Sequence, residues 1–77
     1  MPHLFLNLEN HNGLQPDTEG RDFDTVDAAI AEAGRTAGQV LAEDIAAGRT
    51  PVRIRVLIDD AAGQRQATLE SFIEVKR

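Results

Sequence analysis

The spacing of the apolar side chains changes along this chain from a repeat of two to a repeat of three or four, and then returns to two. Leu4, Leu6 and Leu8 alternate with His3, Phe5 and Asn7, which predicts a first strand over residues 3–9 with one buried face. Residues 18–23 are polar and contain a glycine, so they predict only a short second strand, at an edge of the sheet.

A long amphipathic helix is predicted over about residues 25–47. Asp24 is the expected N-cap, and Gly48 and Pro51 follow the last apolar position, as helix-ending residues do. Gly34 and Gly38 each cost the helix up to about 1 kcal/mol relative to alanine. We therefore expect them to permit close approach of a strand or of a partner helix. The predicted apolar stripe is Val26, Ile30, Ala33, Ala37, Val40, Leu41 and Ile45.

Two further strands are predicted over residues 52–59 and about 65–75, joined by a turn at residues 59–63. The first of them alternates strictly between apolar and other side chains, and Gly63 suits the left-handed position of a hairpin turn. The second strand has an ambiguous phase, because Phe72 breaks the parity of the apolar positions before it. Either a β-bulge shifts the phase, or Phe72 lies on the outer face.

The order of these elements predicts an α+β fold. It is a two-layer ββαββ arrangement in which one long helix packs on one face of an antiparallel sheet and leaves the other face open. A chain of 77 residues accommodates one domain, so we expect a single domain over residues 1–77.

Composition narrows the possible functions. The absence of cysteine excludes disulfides, thiolate metal sites and thiol nucleophiles. The net charge of −5 argues against a general nucleic-acid binder, although the charge is divided into −7 over residues 1–48 and +2 over residues 49–77. We expect a cytoplasmic protein that does not enter a membrane, because no apolar run approaches the roughly 18 residues needed to span one and the N-terminus has no signal-peptide pattern.

Candidate catalytic and metal-binding residues are sparse. His11, Asp17 and Glu19 match no metal-ligand spacing, and no histidine or aspartate can be assigned to Ser71 as a triad. We therefore predict no catalytic residue, no metal and no cofactor. One enzyme alternative remains: Pro2 as the N-terminal base of a tautomerase-like site with Arg53 as carboxylate binder. In such tautomerases the helix follows the first strand almost directly, whereas here residues 9–23 lie between the two elements.

The open face of the predicted sheet is the best candidate for a functional surface. Such exposed apolar patches with a charged rim mark interfaces, so we predict a homodimer or an adaptor that acts by protein–protein association. The candidate interface residues are Phe5, Arg53, Arg55, Leu57 and Phe72. Two alternatives stay open: cross-strand pairing of the two arginines with Glu70 or Glu74, and weak nucleic-acid binding through the hairpin arginines.

The whole chain resembles a family of short, stand-alone proteobacterial proteins that is classed as a domain of unknown function. The resemblance is carried by Met1-Pro2 before the first strand, the Asp17-Thr18-Glu19-Gly20 motif, the alanine-rich helix up to Ala47 with Gly48-Arg49 after it, and the final hairpin. Leu4 and Leu6 stand where that family is usually aromatic. The resemblance implies a strand–strand–helix–strand–strand domain and no particular activity. Apart from that resemblance, Asp17 and Gly20 fit a β-turn in which the carboxylate caps the backbone.

Overall fold

The computed structural model describes all 77 residues and contains one helix and five strands. The elements are β1 (His3–Asn10), β2 (Gly13–Gln15), β3 (Arg21–Asp22), α1 (Val26–Ala46), β4 (Val52–Asp60) and β5 (Arg65–Ile73). This arrangement confirms the predicted α+β architecture with one long helix on an antiparallel sheet. The short strand expected near residues 18–23 is limited to two residues, and β2 is an additional strand that the sequence pattern did not indicate.

The sheet has the order β2-β1-β4-β5, and every pairing in it is antiparallel. The two short strands share the outer edge of β1: β2 pairs with its C-terminal end and β3 with its N-terminal end. Strand β5 forms the opposite edge. The three long strands therefore make up most of the sheet.

One face of the sheet packs against α1 and forms the core. Val52, Ile54, Val56 and Ile58 of β4 are all buried there, together with Leu4 of β1. Strict alternation along β4 produces this arrangement, because successive side chains of a strand point to opposite faces. The opposite face carries no second layer.

The helix approaches the sheet through alanines. Ala29, Ala33 and Ala37 are almost completely buried at successive spacings of four, whereas the larger residues of the predicted stripe, such as Ile30 and Val40, lie partly buried beside them. The expectation that Gly34 and Gly38 permit close approach of a strand is wrong. Both glycines are exposed, and apart from the adjacent residues and backbone of α1 itself, no atom lies within 4 Å of the place where a Cβ would stand on either.

Both ends of α1 are capped. The N-cap is Thr25 and not Asp24, because the Thr25 hydroxyl accepts a hydrogen bond from the Ala28 amide at 3.0 Å. At the other end Gly48 has a φ of +86°. The Gly48 amide donates to the Ile45 carbonyl and the Arg49 amide donates to the Asp44 carbonyl. These two hydrogen bonds make a Schellman motif, which fixes the direction in which the chain leaves the helix.

The phase of β5 is resolved by a bulge and by the outer position of Phe72 together. Ile58 pairs with Ala67 while Asp59 pairs with Arg65, so one residue is extra on β5 at that point. From Ala67 onward the alternation is regular, and Phe72 pairs with Arg53 on the outer face.

Candidate functional site

The predicted interface residues all lie on the open face of the sheet, but they do not form one continuous apolar patch. Residues that pair directly across neighbouring strands have side chains on the same face. Phe5 pairs with Asp59, Leu57 pairs with Asn7, and Phe72 lies opposite Arg53. Phe5 and Leu57 are therefore diagonal neighbours in one half of the face, and Arg53 with Phe72 occupies the other end of β4.

A row of ion pairs crosses the face between these two apolar groups. Arg55 stands between Glu9 and Glu70, with its Nη1 3.3 Å from Glu9 Oε1 and its Nε 3.0 Å from Glu70 Oε1. The Nε contact is an ion pair without hydrogen-bond geometry. The cross-strand pairing predicted as the alternative for Arg55 is therefore present with Glu70.

Arg53 differs from the other arginines of the hairpin. No carboxylate lies within 4 Å of its guanidinium, which instead stands over the Phe72 ring with Cζ 5.8 Å from the ring centroid. Arg65, like Arg55, has a carboxylate partner, which is Asp59. The hairpin thus presents one uncompensated arginine rather than a basic surface, which disfavours the nucleic-acid alternative.

The Asp17-Thr18-Glu19-Gly20 motif closes the outer edge of β1 between the two short strands. Asp17 Oδ1 accepts hydrogen bonds from the Glu19 and Gly20 amides, and Oδ2 accepts one from the Leu6 amide at 3.2 Å. Gly20 has a φ of +68°, so the expected turn is confirmed. Partial burial raises the pKa of the Asp17 carboxyl, but the three amide donors outweigh it and hold the pKa below its ordinary value.

His3, which lies on the open face, forms hydrogen bonds with the same loop. Its Nδ1 is 2.7 Å from Asp22 Oδ1 and its Nε2 is 2.9 Å from the Glu19 carbonyl oxygen. The hydrogen bond with the Asp22 carboxylate, and then the one with the Glu19 carbonyl, raise the pKa of His3 above its ordinary value. The His3 and Phe5 rings meet edge to face at 5.2 Å. The motif therefore has an evident structural role, which is to hold the loop against β1.

A cavity of about 350 Å³ opens at the end of the molecule where α1 finishes and β4 begins. We call it the end pocket. Three segments contribute to it: the β1–β2 turn, the last turn of α1, and the connection into β4. Its lining residues are His11, Asp44, Gly48, Arg49, Thr50, Pro51, Val52 and Arg53.

Asp44 is the one charged residue of the chain that is buried, with 7% of its surface exposed. Its Oδ1 accepts a hydrogen bond from Arg49 Nη1 at 3.0 Å. Its Oδ2 is buried and has no hydrogen-bond partner, and His11 Nδ1 lies 4.0 Å from it. Burying a carboxylate oxygen without a partner is unfavourable, so this oxygen sets the end pocket apart from the rest of the surface.

A second cavity, of about 290 Å³, lies between α1 and the edge of β1. Arg21 crosses it, with its guanidinium 4.6 Å from the Phe23 ring centroid and 3.1 Å from Glu32 Oε2. The hydrogen bonds that Arg21 and then Arg35 donate to Glu32 lower the pKa of that carboxyl. The polar groups at this cavity are already paired with one another.

The residues of the other predicted alternatives lie apart. Pro2 precedes the end of β1 that pairs with Asp60, whereas Arg53 is seven residues away along β4, about 23 Å at the rise of a strand. Pro2 and Arg53 therefore do not form one site. His11 lies near Asp44, whereas the Asp17 carboxylate is held by backbone amides, so His11, Asp17 and Glu19 do not converge either.

Sequence reasoning missed the end pocket. Asp44 lies on the buried face of α1, seven residues after Ala37, whereas His11 and Arg49 are isolated polar residues in separate turns. The one available signal was this acidic residue at a position where the helical period places a buried side chain. No spacing in the sequence connects it to His11, thirty-three positions away.

The fold and these surfaces define a small two-layer α+β domain with an open sheet face and a polar pocket at one end. The chain belongs to the family described as Domain of unknown function (DUF6894), which matches it over residues 3–72. No curated protein and no solved structure matches the chain. The helix α1 does not contain the length of apolar sequence that crossing a lipid bilayer requires.

Proposed function

We propose that this protein functions without catalysis, by binding a second copy of itself through the open face of the sheet. In the dimer two sheets stack face to face, about 10 Å apart, with the two helices on the outside. The observation that carries the proposal is the uncovered face of three long strands, on which large side chains stand with no layer above them.

The dimensions of the chain support this proposal. The accessible surface is 5091 Å², whereas a compact monomer of 8.4 kDa is expected to expose about 4,600 Å². The radius of gyration is 13.2 Å, against about 11.5 Å for a compact domain of this length. A standard interface buries about 800 Å² on each partner. Stacking two open faces removes surface of that order, and the single chain exposes an excess of comparable scale.

The charges of the open face favour one orientation of the second copy. At one end Arg53, beside Phe72, has no carboxylate partner, whereas at the opposite end Asp59 is paired with Arg65 and Asp22 with His3. A twofold axis parallel to the strands stacks the two uncompensated Arg53 side chains on each other, whereas an axis in the plane of the sheet and perpendicular to the strands separates them. We therefore assign the perpendicular axis.

The central row of charges is largely compensated within the chain. Arg55 is already paired with Glu9 and Glu70, so the row enters the interface with one net negative charge and without an unpaired arginine. The aromatic and aliphatic side chains on either side of the row, Phe5, Leu57 and Phe72, supply the apolar contact. Aromatic residues in such positions commonly contribute most of the binding energy.

Sedimentation equilibrium on the full chain tests the proposal. We expect a concentration-dependent dimer, and we expect Phe72→Glu to weaken it at least about thirtyfold, the effect of losing an interface residue that contributes about 2 kcal/mol. The matched control is Val75→Glu, because Val75 is 48% exposed and Phe72 55% exposed, but Val75 lies beyond the end of β5.

Two results contradict the proposal. One is a wild-type chain that sediments as a monomer throughout the accessible concentration range. The other is equal weakening by Phe72→Glu and Val75→Glu, which would place the contact away from the open face. Circular dichroism of both variants confirms that each is folded before the comparison is made.

A further inference from the structure

The end pocket is separate from the apolar part of the open face and has a different chemistry. Pro51 and Val52 are the apolar residues of its lining, and the others are charged, polar or glycine. A water molecule takes a share of about 30 Å³ in the liquid, so a cavity of about 350 Å³ accommodates a polar molecule of roughly metabolite-fragment size.

Three nitrogen-bearing side chains converge on this pocket from three segments. They are His11 of the β1–β2 turn, Arg49 of the connection after α1, and Arg53 of β4. The single carboxylate among them, Asp44, neutralises one positive charge. In a chain with a net charge of −5, this is a local excess of positive charge, and such concave sites attract anions.

The donors of the pocket are not exhausted by contacts within the chain. Arg49 gives one N–H to Asp44 Oδ1, and a guanidinium has five N–H donors. The Arg53 guanidinium has no carboxylate within 4 Å. Arginine donors of this kind match the oxygens of phosphate groups in geometry as well as in charge.

Asp44 positions the two flanking donors. Oδ1 holds Arg49 at 3.0 Å, and the unpartnered Oδ2 faces His11 Nδ1 at 4.0 Å. A movement of roughly 1 Å by the exposed His11 ring brings this pair to hydrogen-bond distance. With Nδ1–H donated to Asp44, the other ring nitrogen, Nε2, is directed away from the carboxylate and is free to donate to a ligand when the ring is protonated.

We propose that the end pocket binds a tetrahedral dianion, namely the phosphate group of a small phosphomonoester. Arg49 and Arg53 donate to the phosphate oxygens, and His11, oriented by Asp44, completes the site. The remaining volume accepts the organic part of the ester, which is polar because the lining is polar. This site shares Arg53 with the open face of the sheet, but its other donors, Arg49 and His11, lie outside the self-association surface proposed above.

Backbone amide NMR titrations of the full chain test the site with three probes: inorganic phosphate, glycerol phosphate and sulfate. We expect saturable shifts at residues 48–53 and at His11, with glycerol phosphate binding more tightly than inorganic phosphate. Arg53→Ala should weaken binding about tenfold, the factor for one lost hydrogen bond to a charged group. This variant leaves the pair between Arg49 and buried Asp44 intact, so the fold is preserved.

The control is Arg35→Ala, which removes the same unit of charge from an arginine in the middle of α1 that does not line the pocket. Sulfate keeps its charge over the pH range in which histidine titrates, so its affinity reports on the protein alone. We expect sulfate to bind more tightly at about pH 5.5 than at about pH 8, and His11→Gln to abolish this difference. The groups that face His11 across the pocket are Asp44, Arg49 and Arg53.

Several outcomes overturn the proposal. Shifts that do not saturate, or that Arg35→Ala and Arg53→Ala reduce equally, indicate only a general response to ionic strength. A pH dependence of sulfate binding that persists in His11→Gln removes His11 from the site. If inorganic phosphate binds more tightly than glycerol phosphate, free phosphate and not an ester is the ligand. Leu57→Glu changes the half of the open face that is remote from Arg53, so it should weaken self-association and leave the order of the three affinities unchanged, which separates the two tests.

Discussion

Replacing Gly34 and Gly38 by alanine should stabilise the protein, and the structure supplies the magnitude. A glycine in the interior of a helix costs about 0.8 to 1.0 kcal/mol relative to alanine. Neither glycine has a positive φ, and no atom lies within 4 Å of an added Cβ at either position. We therefore expect each replacement to raise the free energy of unfolding by about 0.8 kcal/mol, and the double variant by about 1.6 kcal/mol.

An increase of this size is a large fraction of the total. A 77-residue domain has a stability of about 4 to 12 kcal/mol, and 1 kcal/mol shifts its Tm by about 4 to 8 °C. The double variant should thus melt about 10 °C higher. Urea denaturation is the assay, and the midpoint should rise while the slope m stays constant. Ala31→Gly is the matched reverse change, because Ala31 lies on the same exposed side of α1 and should lose about 0.8 kcal/mol.

The result that would refute this reasoning is an unchanged or lower stability of Gly34→Ala and Gly38→Ala alongside a normal loss in Ala31→Gly. Such a result would mean that another surface packs closely on these two positions. The double variant should also associate as the wild type does, because the open sheet face lies on the opposite side of the domain from these glycines.

Two further predictions concern the loop between β2 and β3. Gly20→Ala should destabilise the protein by more than the roughly 1 to 2 kcal/mol cost of a left-handed residue, because its Cβ would stand 2.7 Å from His3 Nε2 and 2.8 Å from Phe5 Cε2. The control is Gly63→Ala, which has a φ of +83° and no atom within 4 Å, and which should therefore show the backbone cost alone in urea denaturation. Equal losses of stability in the two variants would contradict the close packing at Gly20. The pKa of His3 is raised in the folded state by its hydrogen bonds with Asp22 and then with the Glu19 carbonyl, so its stabilising contribution is complete below about pH 6.5 and is lost as the pH rises through the folded value. The wild type should therefore lose stability to urea between about pH 6 and about pH 8, whereas His3→Gln should not. If the two proteins showed the same dependence of stability on pH, protonation of His3 would not be linked to folding.

The alternation of side chains was sufficient to predict the main elements. Val52, Ile54, Val56 and Ile58 can occupy one face of a strand and be excluded from water together, and this local period determined β4 and, through it, the position of the core. The same reasoning placed Phe5, Arg53, Arg55 and Leu57 on the open face, whereas the face of Phe72 was left between two alternatives that the register of β5 decided. The short strands were a different case: β2 is formed by three residues whose pairing with β1 depends on the edge that β1 presents, and no periodicity exists in so short a segment.

The remaining features depended on distances between residues that are remote in the chain. Arg55 meets Glu9 and Glu70 only because β1, β4 and β5 are adjacent in a particular register, and the unpaired Arg53 is a consequence of the same register. The end pocket requires the β1–β2 turn and the end of α1 to come together, which brings His11 within 4.0 Å of Asp44.

The sequence by itself determined that this small acidic chain forms one helix against an antiparallel sheet with one face open, because burial of apolar side chains at a regular period is a local property. Only the tertiary structure decided how near the helix approaches the sheet, which charges neutralise one another on the open face, and where a buried carboxylate oxygen is left beside two arginines and a histidine. Those features follow from packing and electrostatics between separate segments, since the energy of a charge depends on what surrounds it and not on its neighbours in the sequence.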